Sequence, residues 1–186
     1  MNKIKYSELP VIQGEKVTLR PINYTDTHNI VSWRNSTAVR NNFIFREKFT
    51  DEMHINWMKN KVETGEVIQY IIEDMNKKPI GSVYYRDIDT TNECAEYGIF
   101  IGDDSARGMG YGTEAAELFV EFGFSTLELH RVYLRVLSDN TAAIASYKKA
   151  GFRIEGYVQD MIKIDKEFID IIFMSRINGS SLVCVV

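Results

Sequence analysis

The hydrophobic period of this chain changes abruptly at residues 102–112, and that change limits the folds open to it. Before it, Lys16–Pro21, Val67–Glu73, Pro79–Ile88 and Glu93–Gly102 read as strands, with turn-forming stretches at Met75–Lys78 and Asp89–Asn92. Two helical segments interrupt them. One is capped by Thr25-Asp26 and carries Ile30, Val31 and Trp33; the other starts at Thr50 and carries Ile55, Met58 and Val62. After residue 112 the period is mainly helical. Gly112–Phe124 places Ala115, Ala116, Phe119, Val120 and Phe122 on one face. His130–Leu137 is a short strand, Asn140 caps a helix ending at Gly151, and Arg153–Ile164 with Phe168–Ile177 forms a hairpin around Asp165-Lys166-Glu167. An antiparallel meander feeding a strand–helix–strand step predicts an α/β fold with a mixed sheet.

A length of 186 residues with 45% hydrophobic content suits one domain with one sizeable core. Residues 1–14 read as a lead-in, 15–178 as the domain and 179–186 as a tail. The apolar run Leu182–Val186 could pack on a partner, which leaves a homodimer open. A net charge of -4 argues against a nucleic-acid footprint. No apolar run is long enough to span a membrane and no signal-peptide h-region is visible, so a cytoplasmic location is expected, with Cys94 and Cys184 as reduced thiols. His28, His54 and His130 are scattered and show no ligand spacing, so no metal site is expected.

The chemistry is concentrated in Arg107-Gly108-Met109-Gly110-Tyr111-Gly112-Thr113, between a strand and a helix. Glycines let the backbone approach an anion closely, the helix N-terminus adds partial positive charge, and Arg107 adds a full one. The stretch reads as a phosphate or pyrophosphate cradle. It lacks the final glycine of a dinucleotide fingerprint and the Lys of a P-loop.

With Asn140, Tyr147 and Gly151-Phe152 following at the right spacing, Arg107-x-x-Gly110-x-Gly112 resembles the GCN5-related N-acetyltransferase (GNAT) family across residues 15–177. Val17–Pro21 and Thr113-Glu114-Ala115 are similar to the branch of RimJ/RimL-type ribosomal-protein and spermidine acetyltransferases. Trp33-Arg34-Asn35, His54 near Trp57, and the segment Asp165–Asp170 resemble acetyltransferases of nucleotide-linked 4-amino sugars.

The resemblance implies a single GNAT-like domain whose mostly antiparallel sheet contains a splayed parallel pair, Glu93–Gly102 and His130–Leu137. It implies acetyl-CoA as co-substrate, with pantetheine on Phe100, Ile101 and Gly102 and pyrophosphate on Arg107, Gly108, Met109, Gly110, Tyr111, Gly112 and Thr113. Asn140 would hold pantetheine, cap its helix, or both. The reaction would be direct attack of a primary amine in a ternary complex. Tyr147 matches the general acid that protonates the departing thiolate. Glu96, on the central strand, and His54 are the candidate bases. A surface ion pair for Glu96, a packed His54, or a water relay are the alternatives. Trp33, Arg34, Asn35 and Trp57 would wall the acceptor site, unless the tryptophans are core and Arg34 a surface ion. The acceptor would be a small-molecule or peptide amine: a nucleotide-linked amino sugar, a protein N-terminus, a polyamine or a xenobiotic amine. A polyamine site would draw on acids such as Glu47, Asp51 and Glu52. A non-catalytic acyl-CoA sensor and a nucleotide-binding regulator are the rival classes.

Overall fold

In a computed structural model, residues 5–44, 46–164 and 166–179 are described. Eight strands form one sheet in the order β1-β2-β3-β4-β5-β6-β8-β7. Strands β1 (Ile12–Gln13), β2 (Val17–Pro21), β3 (Ile68–Asp74), β4 (Pro79–Asp89) and β5 (Cys94–Ile101) are antiparallel neighbours. Strand β6 (Arg131–Leu137) joins β5 in parallel, and the hairpin β7 (Arg153–Ile164) and β8 (Glu167–Ile177) completes the sheet. The mixed α/β architecture expected from the change of period is therefore present.

The parallel pair is short. Cys94, Ala95 and Glu96 lie opposite Arg131, Val132 and Tyr133, and the pairing stops there although both strands continue. The rest of β5 faces an open wedge. Helix α4 (Tyr111–Ser125) buries Ala115, Ala116, Phe119 and Val120 against one sheet face, beside Tyr85, Tyr97, Val132 and Leu134. Helix α5 (Thr141–Lys149) follows β6 directly and is tied to α4 by a 3.0 Å bond between Thr113 and Ser146 hydroxyls.

The opposite face carries helices α1 (Thr27–Asn35), α2 (Thr37–Arg40) and α3 (Asp51–Trp57), the last continuing as a π-turn over Met58–Val62. A second core forms there from Ile22, Ile30, Val39, Met58, Val62, Ile71 and Phe100. Thr50 caps α3 as its sequence suggests, accepting from the Met53 amide. The apolar stripe differs from the expected one: Ile55 is exposed, and the buried column is His54, Met58 and Val62. His54, Met58 and Val62 follow one another at four-residue steps and so share one side of the helix.

The lead-in also differs from expectation. Ile12 and Gln13 pair with Leu19 and Thr18, and Leu9 packs on the main core. The Tyr6 hydroxyl donates to the Ile22 carbonyl and the Tyr70 hydroxyl to Pro10. Leu182–Val186, Cys184 and Asp165 lie outside the described residues.

Candidate active site

A cavity of about 1250 Å³ runs from α4 and α5, through the splay, to α1 and α3. Its two ends have different chemistry. At the α4 end, Gly108 and Gly110 have φ of +75° and +84°, the left-handed region that glycine enters without penalty. Gly110 is the N-cap of α4, so the loop turns directly into a helix N-terminus at the cavity wall. Arg107 is anchored beside it: its Nη2 donates to the Ile101 carbonyl at 3.1 Å and lies 3.2 Å from Asp104. Such a loop has the geometry and charge to accept a phosphate anion.

Strand β5 supplies the next part. The Glu93 carbonyl accepts from His130 and Arg131, so in a strand of period two the backbone groups of Tyr97, Ile99 and Ile101 face the β6 side. Beyond Glu96 no strand pairs with that edge. Extended amides laid along it would find partners. Gly102 does not serve this way, because its N–H donates to Ile80 of β4, and Phe100 lies opposite Ser82 of β4. Of the expected backbone trio, Ile101 faces the wedge and its two neighbours face away.

Tyr147 of α5 lines the cavity, packed edge-on against Tyr97 and Phe152. Burial pushes its hydroxyl well above the ordinary value, so it keeps its proton at neutral pH. Asn140 accepts from the Ala143 amide at 3.1 Å, which makes it the α5 cap, and it also lines the cavity.

At the α1–α3 end, His54 is 1% exposed. The Thr27 hydroxyl donates to the Tyr24 carbonyl at 2.8 Å, so it accepts from His54 Nδ1 at 2.9 Å. That assigns the proton to Nδ1 and leaves a lone pair on Nε2, which is buried without a partner. Burial lowers the pKa of the ring, keeping it neutral. Arg34 also lines this end, its guanidinium 3.8 Å above the Phe43 ring and 5.3 Å from that of Phe49. It has no carboxylate partner among the described residues. Trp57 lines the wall and donates to Gln69 at 2.9 Å.

Glu96 is 5% exposed at the end of the parallel pairing. Burial alone would push its carboxyl up. Hydrogen bonds and charge from Arg86 and Arg135 outweigh that and hold it below the ordinary carboxylate range. Arg86 and Arg135, which also line the cavity, are site residues that the sequence reading missed.

The profile of the acetyltransferase (GNAT) domain matches residues 16–153. The chain belongs to that family. Among curated GNAT relatives, spermidine N(1)-acetyltransferases are similar to it. The one from Vibrio cholerae is 25% identical over 159 residues, 85% of this chain and 91% of that protein. The one from Escherichia coli K12 is 27% identical over 155 residues, 83% of this chain and 82% of that protein. The fold matches the crystal structure of the Vibrio cholerae spermidine N-acetyltransferase in complex with CoA and spermine, with TM-score 0.81, 22% identity, and coverage of 87% of this chain and 95% of that one. A GNAT acetyltransferase from Bacillus anthracis matches with TM-score 0.78, 21% identity, and coverage of 90% and 98%. The chain is an acetyl-CoA-dependent N-acetyltransferase, and the glycine cradle and unpaired β5 edge fit that co-substrate.

Four of the expected GNAT site residues do other work. Trp33 packs on Gly102, where a Cβ would overlap the indole, and edge-on against Phe100. Asn35 bonds reciprocally with the Phe49 backbone at 2.7 and 2.9 Å, stapling the segment before α3. Met109 points outward, 57% exposed. Gly102 makes room for Trp33. None of these four lines the cavity. Among the described residues there is no cluster of three or more metal-ligating side chains and no helix long and apolar enough to cross a membrane.

Proposed function

We propose that the acceptor is a primary amine carried on an anionic molecule, of which a nucleotide-linked amino sugar is the best example. The observation that carries this is the sign of the lining charges. At the α1–α3 end and the splay, Arg34, Arg86 and Arg135 line the cavity against one carboxylate, Glu96; Lys61, also in the lining, is paired with Glu66, and Arg107 and Lys149 belong to the co-substrate end. Glu47, Asp51 and Glu52, the acids that would suit a polyamine, are exposed and do not line it. A cationic acceptor would be repelled and an anionic one drawn in. The names of the relatives supply the second reading, a polyamine acceptor.

Acetyl-CoA supplies an acetyl group activated as a thioester. The chain's residues do the rest. Loop 107–113 holds the pyrophosphate, and the β5 edge, with the backbone of Ile99 and the amide of Ile101 lacking a strand partner, aligns the pantetheine amides, fixing the thioester relative to the amine. Arg34 binds the acceptor's negative charge. An alkylamine is mostly protonated at neutral pH and must lose a proton before attack. The Nε2 lone pair of His54 receives it, directly or through water. Glu96, with both oxygens bonded to guanidiniums, is poorly suited to that task. Tyr147 donates its hydroxyl hydrogen to the departing sulfur and is reprotonated from solvent, while His54 releases the amine's proton to solvent, so both groups are restored for the next turnover.

Thiol release from acetyl-CoA, measured against a nucleotide-linked 4-amino sugar, spermidine and an N-terminal peptide in parallel, tests the reading. Release with the amino sugar above the other two is expected. Release with spermidine alone would overturn the acceptor class, and binding of acetyl-CoA with no release for any amine would favour a sensor.

A further inference from the structure

Glu96 sits where the sheet opens, and its partners come from both sides of it. Arg86 belongs to β4 and lies directly opposite Glu96 in the antiparallel register. Arg135 belongs to β6, two residues beyond the last parallel pair. Arg135 grips the carboxylate in a fork, Nε to Oε1 at 3.1 Å and Nη2 to Oε2 at 3.0 Å. Arg86 reaches Oε1 through Nη2 at 2.8 Å. One buried carboxylate thus draws two guanidiniums together at the wall of the cavity.

The arrangement is unbalanced in charge and in hydrogen bonding. Arg86 Nε is buried with no hydrogen-bond partner and lies 3.8 Å from Asp87 Oδ2. Each guanidinium has five N–H donors and commits only one or two of them to Glu96, so both keep donors for another acceptor. Arg34 lies close enough for Arg86 to destabilise its charge, and it has no carboxylate of its own. Arg34, Arg86 and Arg135 against Glu96 and the exposed Asp87 leave an excess of positive charge. The guanidiniums of Arg86 and Arg135 are themselves partly exposed, 34% and 27%, so an anion entering the cavity meets positive charge that Glu96 does not fully answer.

We propose that Glu96 is a positioning residue that holds Arg86 and Arg135 as an anion subsite of the acceptor pocket, matched to an anion with the charge of a diphosphate diester. Planar forks at fixed separation suit phosphate oxygens, which lysines at the same places would bind only as point charges. The inference rests on the anionic-acceptor reading and assigns its residues.

The test is calorimetric titration of inorganic pyrophosphate into protein saturated with CoA, so that loop 107–113 is already filled. Wild type is expected to bind, and Arg86→Gln and Arg135→Gln each to weaken binding roughly 10- to 100-fold. Glu96→Gln is the sharpest arm. If Glu96 acts only as a negative charge, removing it tightens pyrophosphate binding. If it aims the two guanidiniums, binding weakens although a repulsive charge has gone. With a nucleotide-linked 4-amino sugar as acceptor, Glu96→Gln should raise KM and leave the pH profile of kcat unmoved, whereas loss of a base would abolish its acidic limb. Unchanged CoA affinity certifies folding of each variant, and Arg86→Lys replaces Arg86→Gln if the latter fails it. Weakening by Arg34→Gln alone would overturn this subsite while leaving the anionic acceptor standing. No pyrophosphate binding to wild type would overturn both.

Discussion

Replacing Gly110 probes the cofactor cradle. Its φ of +84° costs an L-residue roughly 1–2 kcal/mol, and a β-branched residue is a genuine outlier there. Space is not the obstacle, because a Cβ at this position would meet only Lys16 Nζ, at 3.5 Å. The effect is therefore conformational, and it divides by residue. Alanine can stay in the left-handed region, so Gly110→Ala should lose roughly 1–2 kcal/mol of stability, about 2–8 °C in a chain of this size, and keep most of its CoA affinity. Valine cannot, so Gly110→Val should rotate the loop and turn the first α4 amides away from the phosphate. Calorimetric titration with CoA beside a thermal melt reads both effects. A folded Gly110→Val protein with wild-type CoA affinity would refute the cradle assignment.

Tyr147→Phe should reduce kcat roughly 10²–10⁴-fold with CoA affinity unchanged, as single-turnover and binding measurements would show; an unchanged kcat would make Tyr147 a packing residue. His54 is buried with its pKa lowered, so the unfolded chain binds the extra proton. Its contribution to stability is present above about pH 6.5 and is lost as pH falls below that toward the folded pKa. Urea titrations between pH 7.5 and 5 should therefore show a steeper loss in wild type than in His54→Gln, and parallel slopes would contradict the buried neutral ring. Asn35→Ala removes both bonds to the Phe49 backbone and should cost about 1–3 kcal/mol in urea unfolding while raising acceptor KM through the loosened Phe43–Phe49 wall around Arg34.

The legible parts of this molecule are those whose signal is local. The Arg107–Thr113 loop, the Asn140 cap and the Gly151 stop each depend on a few consecutive residues, and each lies where the sequence puts it. Roles that depend on a distant partner are less legible. Trp33 and Asn35 look like acceptor contacts beside Arg34, but successive residues on a helix face different directions, and only Arg34 reaches the cavity. In α3 the apolar Ile55 suggested the buried column, while the polar His54 holds it through Thr27. Arg86 was within reach of sequence reasoning, since the β4–β5 hairpin brings it opposite Glu96. Arg135 was not, because the register of a parallel pair across a helical crossover is not written in either strand.

The central claim is that this acetyltransferase takes its amine on an anionic carrier, and one ratio tests it. The measurement is kcat/KM for a nucleotide-linked 4-amino sugar relative to spermidine, in wild type and in Arg34→Ala at the same ionic strength. A ratio well above one is expected in wild type, falling at least about tenfold on loss of a charge-assisted contact from Arg34. A wild-type ratio below one, with spermidine turnover unchanged or improved in Arg34→Ala, would contradict it and make the acceptor a polyamine.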